Sequence, residues 1–288
     1  MKFKISLRKK RVTRSAGGDF FVFSLLAIIS VLMALPLVFM ISSAFKPMHE
    51  LWLYPPQFFV RNPTLKNFVD LFVLMRDSWV PMSRYFFNTI LLVVLGTGGY
   101  IIFASMGAYP LAKHDFYFKP LLFQTIILSL MFTPAVTAIP NYLIMAKIGW
   151  IDNYMALVVP VWATSLGLFL MRQFMVAMVP DELLESARVD GANEWIVFWK
   201  IVMPMVKPAW LTLMILSVQQ LWREFGTRFI YTEQLKTLPY ALNQIVWSGL
   251  ARQGVSYAVN LLMISIPIII FVINQSKVVE TMSTSGLD

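Results

Sequence analysis

Six long apolar stretches dominate this sequence and constrain its fold more than any other feature. They cover residues 20–45, 85–112, 120–146, 153–171, about 201–222, and 257–276. An α-helix needs about 20 apolar residues to cross the hydrocarbon core of a bilayer. With 58% hydrophobic and only 14% charged residues, the chain carries more apolar surface than a soluble core could bury. The sequence therefore predicts an all-α polytopic membrane protein with six transmembrane helices.

The basic N-terminal tail predicts the orientation of these helices. Seven of the 24 Lys and Arg residues lie within the first 14 positions, and such an excess is expected on the cytoplasmic side of a membrane. The apolar run that follows is too long for the core of a signal peptide, so it is expected to be retained. We predict a multi-pass protein of the cell (inner or cytoplasmic) membrane with both termini cytoplasmic. The net charge of +9 is assigned to membrane anchoring and orientation, not to nucleic-acid binding.

No repeat, low-complexity segment or linker divides the chain, so we expect one membrane domain at residues 20–276. A basic cytoplasmic tail (1–19) precedes it and a cytoplasmic tail (277–288) follows it. The predicted topology places loops 46–84 and 223–256 outside and loop 172–207 inside. Prolines within the spans favour bent helices around a pathway, although packing alone could also explain each one; they are Pro36, Pro110, Pro134, Pro140, Pro160 and Pro267.

The sequence offers no pattern typical of catalysis or of a metal site. Cysteine is absent, and His49 and His114 lie outside the apolar runs without metal-ligand spacing. No phosphate-binding G-x-x-x-x-G-K-[ST] loop and no hydrolase motif such as H-E-x-x-H or G-x-S-x-G is present. The spans contain no Asp, Glu, Lys, Arg or His except Lys207. This disfavours an ion-coupled carrier, although one that holds its ion by backbone carbonyls stays open.

The predicted cytoplasmic loop contains the most informative pattern in the chain. A first short helix ends at Gly191, because glycine readily adopts the left-handed conformation of a helix C-terminus. Asn193 can then cap a second helix, on which Trp195, Phe198 and Trp199 are spaced to share one face. Such a compact hairpin suits insertion into a groove of a partner protein. A hairpin lying on the lipid headgroups is the alternative.

This loop closely resembles the EAA loop of permeases in binding-protein-dependent ABC importers. That motif reads E-A-A, three residues, G, nine residues, I, one residue, L-P. At the same spacing this sequence has Glu185, Ser186, Ala187, Gly191, Ile201, Met203 and Pro204. Serine in place of alanine and methionine in place of leucine are the departures. Asp190, Gly191 and Ala192 also match the D-G-A of sugar-permease versions of the loop.

Other segments resemble the carbohydrate branch of the same family, so the likeness covers most of the chain. Residues 62–68 look like its external P-T-L-x-N segment, and Phe87-Asn88-Thr89 like the start of its second span. Residues 172–174 are similar to the end of its fourth span. The C-terminal residues 274–286 resemble the sub-branch that imports uronate-containing fragments of polysaccharides. The alternative for this tail is a cytoplasmic end that only packs under the bundle.

The resemblance implies the type I ABC importer permease fold and the role of the six-span second permease of the maltose and oligosaccharide family. The implied partners are a second related permease, two ATPase subunits that bind ATP and Mg, an external sugar-binding protein, and membrane lipid. This chain would bind no cofactor itself. The coupling loop, including Trp195, would contact an ATPase. The alternative function is an ion-coupled carrier or channel for a small polar solute, and a membrane scaffold without transport is a further one.

A polar stripe along the fifth span predicts a transport path. Thr212, Gln219 and Arg223 stand on one face of a 3.6-residue helix, with Gln220 and Glu224 beside them. Polar side chains are costly against lipid, so this face should turn to the bundle interior or to water. Amides also suit sugar hydroxyls. Asn260 of the sixth span is an expected partner in the path. Hydrogen bonding between helices is the alternative role for these residues.

Overall fold

The computed structural model describes residues 16–76, 79–247 and 252–284, and within these ranges the chain is helical with no strand. Most of the basic tail, residues 1–15, and the last four residues lie outside the described ranges. The helices are α1 (Ala16–Ala44), α2 (Met48–Leu51), α3 (Lys66–Arg76), α4 (Met82–Lys113), α5 (Lys119–Ser129), α6 (Pro134–Ile148), α7 (Met155–Trp162), α8 (Ser165–Met178), α9 (Asp181–Val189), α10 (Glu194–Ile196), α11 (Met203–Met205), α12 (Lys207–Trp222), α13 (Leu238–Trp247) and α14 (Gln253–Thr284). A π-helical turn at Val197–Val202 and a 3₁₀ turn at Glu233–Leu235 complete the described structure.

Four helical segments are long and apolar enough to cross a membrane, and they match four of the six predicted spans. These are Gly17–Ala44, Met82–Lys113, Met155–Met178 and Gln253–Ile273. The fourth predicted span is longer than expected, because α8 continues through Arg172 to Met178. The last helix likewise continues past residue 276 to Thr284. The helical structure therefore extends into regions that the sequence assigned to the cytoplasmic loop and tail.

The third predicted span is not one continuous helix. It consists of α5 and α6, which meet at an angle of 108°. The bend lies at Thr133, whose backbone is extended (ψ 151°), and Pro134 begins α6. A residue before proline is disfavoured in the helical conformation, since the proline ring crowds its backbone. This break corrects the prediction of a single helix over 120–146.

The fifth predicted span is also broken. The helical segment Glu194–Met205 meets α12 at 76°. Between them Val206 has a non-helical ψ of 21°, immediately before the Lys207-Pro208 pair. The residues at 201–205 therefore belong to the helical segment that precedes the bend, and α12 covers only residues 207–222 of the predicted span.

Helix α4 lies at the centre of the bundle and packs against α7, α8 and α12. Close approach is possible because glycines face these neighbours. A Cβ atom on Gly99 would lie 2.0 Å from the indole nitrogen of Trp162 on α7. That nitrogen donates to the carbonyl of Leu95 at 3.0 Å, so the indole forms a hydrogen bond between α7 and α4. Helix α1, in contrast, is exposed along most of its length and contacts mainly α14.

Two apolar cores lie at opposite ends of the bundle. One contains Leu71 of α3, Leu92 of α4, Trp222 of α12 and Leu242 of α13. The other contains Tyr109, at the far end of α4, with residues of α8, α9, the π-helical turn and the start of α12. The predicted external loops pack with the first core and the predicted cytoplasmic loop with the second. This arrangement agrees with the alternation of sides in the predicted topology, but it does not fix which end is cytoplasmic.

Candidate coupling loop and transport path

The turn around Gly191 is set by its backbone. Gly191 has φ of +83°, a conformation that costs a residue with a Cβ atom about 1 kcal/mol or more. The Ala192 amide donates to the Ala187 carbonyl and the Gly191 amide to the Arg188 carbonyl, both at 3.0 Å. This pair of bonds is the Schellman motif that closes a helix C-terminus. The structure thus confirms that the first helix ends at Gly191.

The motif residues divide into a buried set and an exposed set. Ala187 is buried in the second core and Ala192 packs against it, and Ile201 is half-buried there as well. The exposed residues are Glu185, Ser186, Asp190, Trp195 and Pro204. The loop therefore packs against the bundle through apolar side chains, and most of its exposed motif side chains are polar or aromatic.

Asn193 caps the second helix as predicted, since its Oδ1 accepts from the Ile196 amide at 2.9 Å. The predicted shared face of three aromatic residues is wrong. Phe198 is 4% exposed and packs in the core, whereas Trp195 and Trp199 are 61% and 43% exposed. The reason is the π-helical turn, whose wider spacing shifts the register of the side chains. The outward aromatic surface of the loop is smaller than the sequence suggested.

Glu194 joins the coupling loop to the end of α4. Its Oε2 accepts a hydrogen bond from the Tyr109 hydroxyl at 2.6 Å, and its Oε1 accepts one from Arg188 Nε at 2.7 Å. His114 Nε2 lies 3.4 Å from the same carboxylate. The Arg188 and Tyr109 hydrogen bonds hold the pKa of Glu194 below its usual value. The sequence analysis did not single out this residue, and only its position in the first turn of a capped helix marked it.

A second connection joins the start of α9 to the same end of α4. Lys113 Nζ donates to the Val179 carbonyl at 2.6 Å and to Asp181 Oδ1 at 2.7 Å. The Lys113 side chain is only 4% exposed, so its ammonium is fixed in place. Arg172 Nε also donates to the Leu111 carbonyl at 3.2 Å. The first loop helix is therefore linked to α4 at both ends, through Lys113 at its start and through Arg188, Glu194 and Tyr109 at its end.

On the predicted path helix α12, the Ser217 hydroxyl donates to Thr97 of α4 at 3.0 Å. Thr212 donates to the Pro208 carbonyl of its own helix at 3.0 Å. Gln219 is half-buried, and Gln220 and Arg223 are exposed, as is Asn260 on α14. The structure describes no side-chain hydrogen bond for these last four residues. It therefore neither pairs Asn260 with α12 nor shows the bonding between helices that was the alternative.

Glu224 does not extend the polar stripe as expected. It follows the end of α12, and its Oε1 accepts from the Gly226 amide at 3.0 Å. Its carbonyl accepts from the Thr237 hydroxyl at 2.8 Å. Because the helix has already ended, helical spacing no longer applies, and Glu224 stabilises the turn into the following loop.

That loop is fastened to α4 by residues whose role the sequence did not reveal. Asn88 Nδ2 donates to the carbonyls of Gln234 and Lys236 at 2.8 and 2.9 Å. Thr89 Oγ1 accepts from the Leu238 amide at 2.8 Å. Asn88 and Thr89 are 1% and 0% exposed. In the Phe87-Asn88-Thr89 segment noted for its family likeness, Asn88 and Thr89 thus hold the loop after α12 in place through hydrogen bonds.

Asp152 fastens the same loop from the other side. Its carboxylate accepts from the Tyr231 and Thr232 amides at 2.9 and 2.8 Å and from the Thr232 hydroxyl. These hydrogen bonds, led by the Thr232 hydroxyl, lower the pKa of Asp152. Within the described residues no group of three or more His, Asp or Glu side chains could hold a metal ion.

Comparison with known proteins decides the family. The profile described as "Binding-protein-dependent transport system inner membrane component" matches residues 116–281, which include the whole coupling loop and α12. The chain belongs to this family of ABC transporter permeases. The match covers more than half of the sequence, and it begins just after the end of α4. In the hydrogen bonds between α4 and the loop, Tyr109 and Lys113 therefore lie outside the matched region, whereas Glu194 and Asp181 lie inside it.

Known permeases resemble the chain over most of its length. The arabinooligosaccharide transport permease AraQ of Halalkalibacterium halodurans is 26% identical over 273 residues, or 91% of this chain and 93% of that protein. The polygalacturonan/rhamnogalacturonan transport permease YtcP of Bacillus subtilis is 25% identical over 248 residues, covering 82% and 80%. A subunit of a bacterial ABC transporter that imports the acidic polysaccharide alginate aligns with a TM-score of 0.78 and 21% identity, covering 92% and 99%. The fold is thus that of an ABC importer permease.

Proposed function

We propose that this permease is one of two related subunits that form the path of an ATP-driven oligosaccharide importer. The observation that carries the proposal is the Gly191 loop, which is exposed on one side and bonded to the central helix on the other. The family description supports dependence on an external binding protein. The names of the relatives AraQ and YtcP support a saccharide as the transported solute.

ATP and Mg are assigned to two partner ATPase subunits, because the sequence lacks a phosphate-binding loop. The outer side of α9 is the proposed docking surface, with Glu185 and Asp190 supplying charge and Val189, 87% exposed, supplying an apolar contact. Closure of the ATPases would displace α9, and Glu194 and Lys113 would transmit the displacement to α4. This chain performs no bond chemistry in the proposal.

Uptake of a radiolabelled oligosaccharide into vesicles tests the proposal. With the second permease, the ATPases and the binding protein present, uptake should require both ATP and the binding protein. Gly191→Val should abolish sugar-stimulated ATP hydrolysis, because valine resists positive φ. Gly191→Asn is the matched control and should retain it, since asparagine tolerates this conformation. Uptake driven by an ion gradient with this chain alone would instead support the carrier alternative.

A charge reversal tests docking separately. Glu185→Lys should weaken retention of the ATPase subunits during purification, while membrane insertion stays normal. Normal retention together with normal stimulation of ATP hydrolysis would reject the docking role of α9.

The stripe of Thr212, Gln219, Gln220 and Arg223, with Asn260, is proposed to line the path between the two permeases. Its support is that Gln220, Arg223 and Asn260 are exposed, and that these three and the half-buried Gln219 have no side-chain hydrogen bond among the described residues. Polar groups facing lipid are costly in such a segment. Cysteines at 219 and 220 should react with water-soluble reagents, and substrate should alter the rate. A cysteine replacing Val94, an exposed apolar residue of α4, is the control. Unreactive cysteines at both positions in every state would assign the stripe to packing.

A further inference from the structure

Trp79 stands exposed between hollows at the end of the molecule that carries the predicted external loops. Its side chain is 86% exposed and precedes α4. One hollow beside it, of about 340 Å³, is also lined by Tyr85, Glu233 and Gln244. A second, of about 680 Å³, is lined by Arg84 and Gln234 among others. Small-ligand sites usually have volumes of about 300–1,000 Å³ and combine aromatic walls with a few polar groups.

The charged groups around Trp79 favour a ligand that carries carboxylates. The acidic group in the smaller hollow, Glu233, is engaged, because its Oε1 accepts the Tyr85 hydroxyl at 2.8 Å. Arg84 is exposed and forms no ion pair with any described residue, and its Nε donates only to the Gln234 carbonyl at 3.4 Å. Its terminal nitrogens are therefore available for a planar, two-bond contact with a carboxylate. Arg252 also lines the smaller hollow, but it already has an interaction within the described structure, so Arg84 is the cation assigned to the ligand.

We propose that Trp79 and Arg84 form an external binding subsite for an acidic saccharide, which rests on the proposed role in oligosaccharide import. The indole face packs against the apolar face of one sugar ring, and Arg84 pairs with the carboxylate of that ring or its neighbour. The side-chain amide of Gln234 lines the larger hollow and that of Gln244 the smaller one, where its Nε2 already donates to the Tyr240 hydroxyl. The Gln234 amide and the Gln244 Oε1 are assigned to sugar hydroxyl groups. The subsite would hold one end of the substrate before it enters the path.

Protection of a cysteine from labelling tests the subsite. Ser83 lines the larger hollow, is exposed, and its side chain has no hydrogen bond to a described residue. Since the chain has no native cysteine, Ser83→Cys in the assembled importer gives one reporter on this subunit. Trigalacturonate at about three times its Kd should leave about a quarter of the sites free and slow maleimide labelling about fourfold. Neutral galactotriose at the same concentration should leave the rate unchanged.

Further variants assign the protection to the two side chains. Trp79→Ala and Arg84→Gln should each remove it in the Ser83→Cys background, and Trp79→Tyr should retain part of it. Leu65→Cys, which is exposed at the start of α3, is the control and should label equally with or without sugar. No protection of Ser83→Cys, equal protection by the neutral sugar, or protection that survives both variants would overturn the subsite. If the Trp79 indole only anchors the protein at the membrane interface, sugar should give no protection of Ser83→Cys.

The test separates this subsite from the proposed function. Labelling requires no ATP, so protection can be observed even if transport fails. ATP-driven uptake without protection would remove the subsite and leave the importer role standing. Protection without ATP-driven uptake would remove the importer role and leave the subsite.

Discussion

At the scale of single residues, Glu194 has the most consequential contacts in the described structure. It binds Tyr109 on the central helix and Arg188 on α9 through different carboxylate oxygens. One side chain therefore links the loop that is proposed to dock the ATPase to the helix at the centre of the bundle. Tyr109 lies 85 residues from Glu194 in the sequence, so this hydrogen bond forms only in the folded protein.

Replacing Glu194 by glutamine should destabilise the permease and weaken coupling. The carboxylate is about half exposed, so we expect a loss of about 1 kcal/mol in the free energy of unfolding at neutral pH. The stabilisation is present above the ordinary carboxyl pKa of 4.5 and is lost as the pH falls through the lowered pKa of the folded state. Thermal unfolding of both proteins between pH 7 and pH 3 should therefore show their difference shrinking below about pH 4.5. A difference that is constant over this range would contradict the charged role of Glu194.

At the scale of elements, the start of α4 acts as an anchor for the loop between α12 and α13. The side-chain amide of Asn88 donates hydrogen bonds to two backbone carbonyls of the loop. Thr89 and Asp152 add bonds to the same loop. The loop is thus held by three buried or half-buried polar side chains, two from α4 and one from the connection between α6 and α7.

Removing the Asn88 amide should loosen this loop. Asn88→Ala leaves two carbonyls without their donor in a buried place, at a cost of about 1–3 kcal/mol in stability. Protease digestion at the Arg228 and Lys236 sites should become faster, and the melting temperature should fall. Ser83→Ala, five residues earlier at an exposed position of α4, is the control and should change neither. Unchanged digestion in Asn88→Ala would show that the loop is held mainly by other contacts.

At the scale of the whole molecule, the two ends of the bundle are built from different sets of loops. Asp152, Asn88 and the loop after α12 meet at one end, whereas Lys113, Asp181 and Glu194 meet at the other. The positive charge of the N-terminal tail predicts that the first end lies outside and that the coupling loop lies in the cytoplasm.

Labelling of single cysteines tests the orientation of the molecule. Leu65→Cys should react with an impermeant maleimide applied from outside intact cells. Val189→Cys, on the coupling loop, should react only when the cytoplasmic face is opened. Both residues are largely exposed, so accessibility to the reagent and not burial decides the outcome. Labelling of position 65 only from the cytoplasmic side would reverse the topology.

The sequence by itself determined the membrane class, the approximate spans and the architecture of the coupling loop. These features are local, because hydropathy acts over about 20 consecutive residues and a helix cap over about five. The Gly191 turn and the Asn193 cap could therefore be predicted from neighbouring residues alone. The family likeness rested on the same local spacing.

Only the tertiary structure decided how these elements bend and where their polar side chains find partners. The 108° and 76° breaks divide two predicted spans, and the π-helical turn moves Phe198 into the core, away from Trp195 and Trp199. Glu194 meets Tyr109 across 85 residues, and Asn88 meets Gln234 across 146. Such contacts depend on which helices pack together, because a buried polar group must be satisfied by whatever the fold brings near it. The spacing of residues along the chain does not predict which partner the fold brings near a buried polar group.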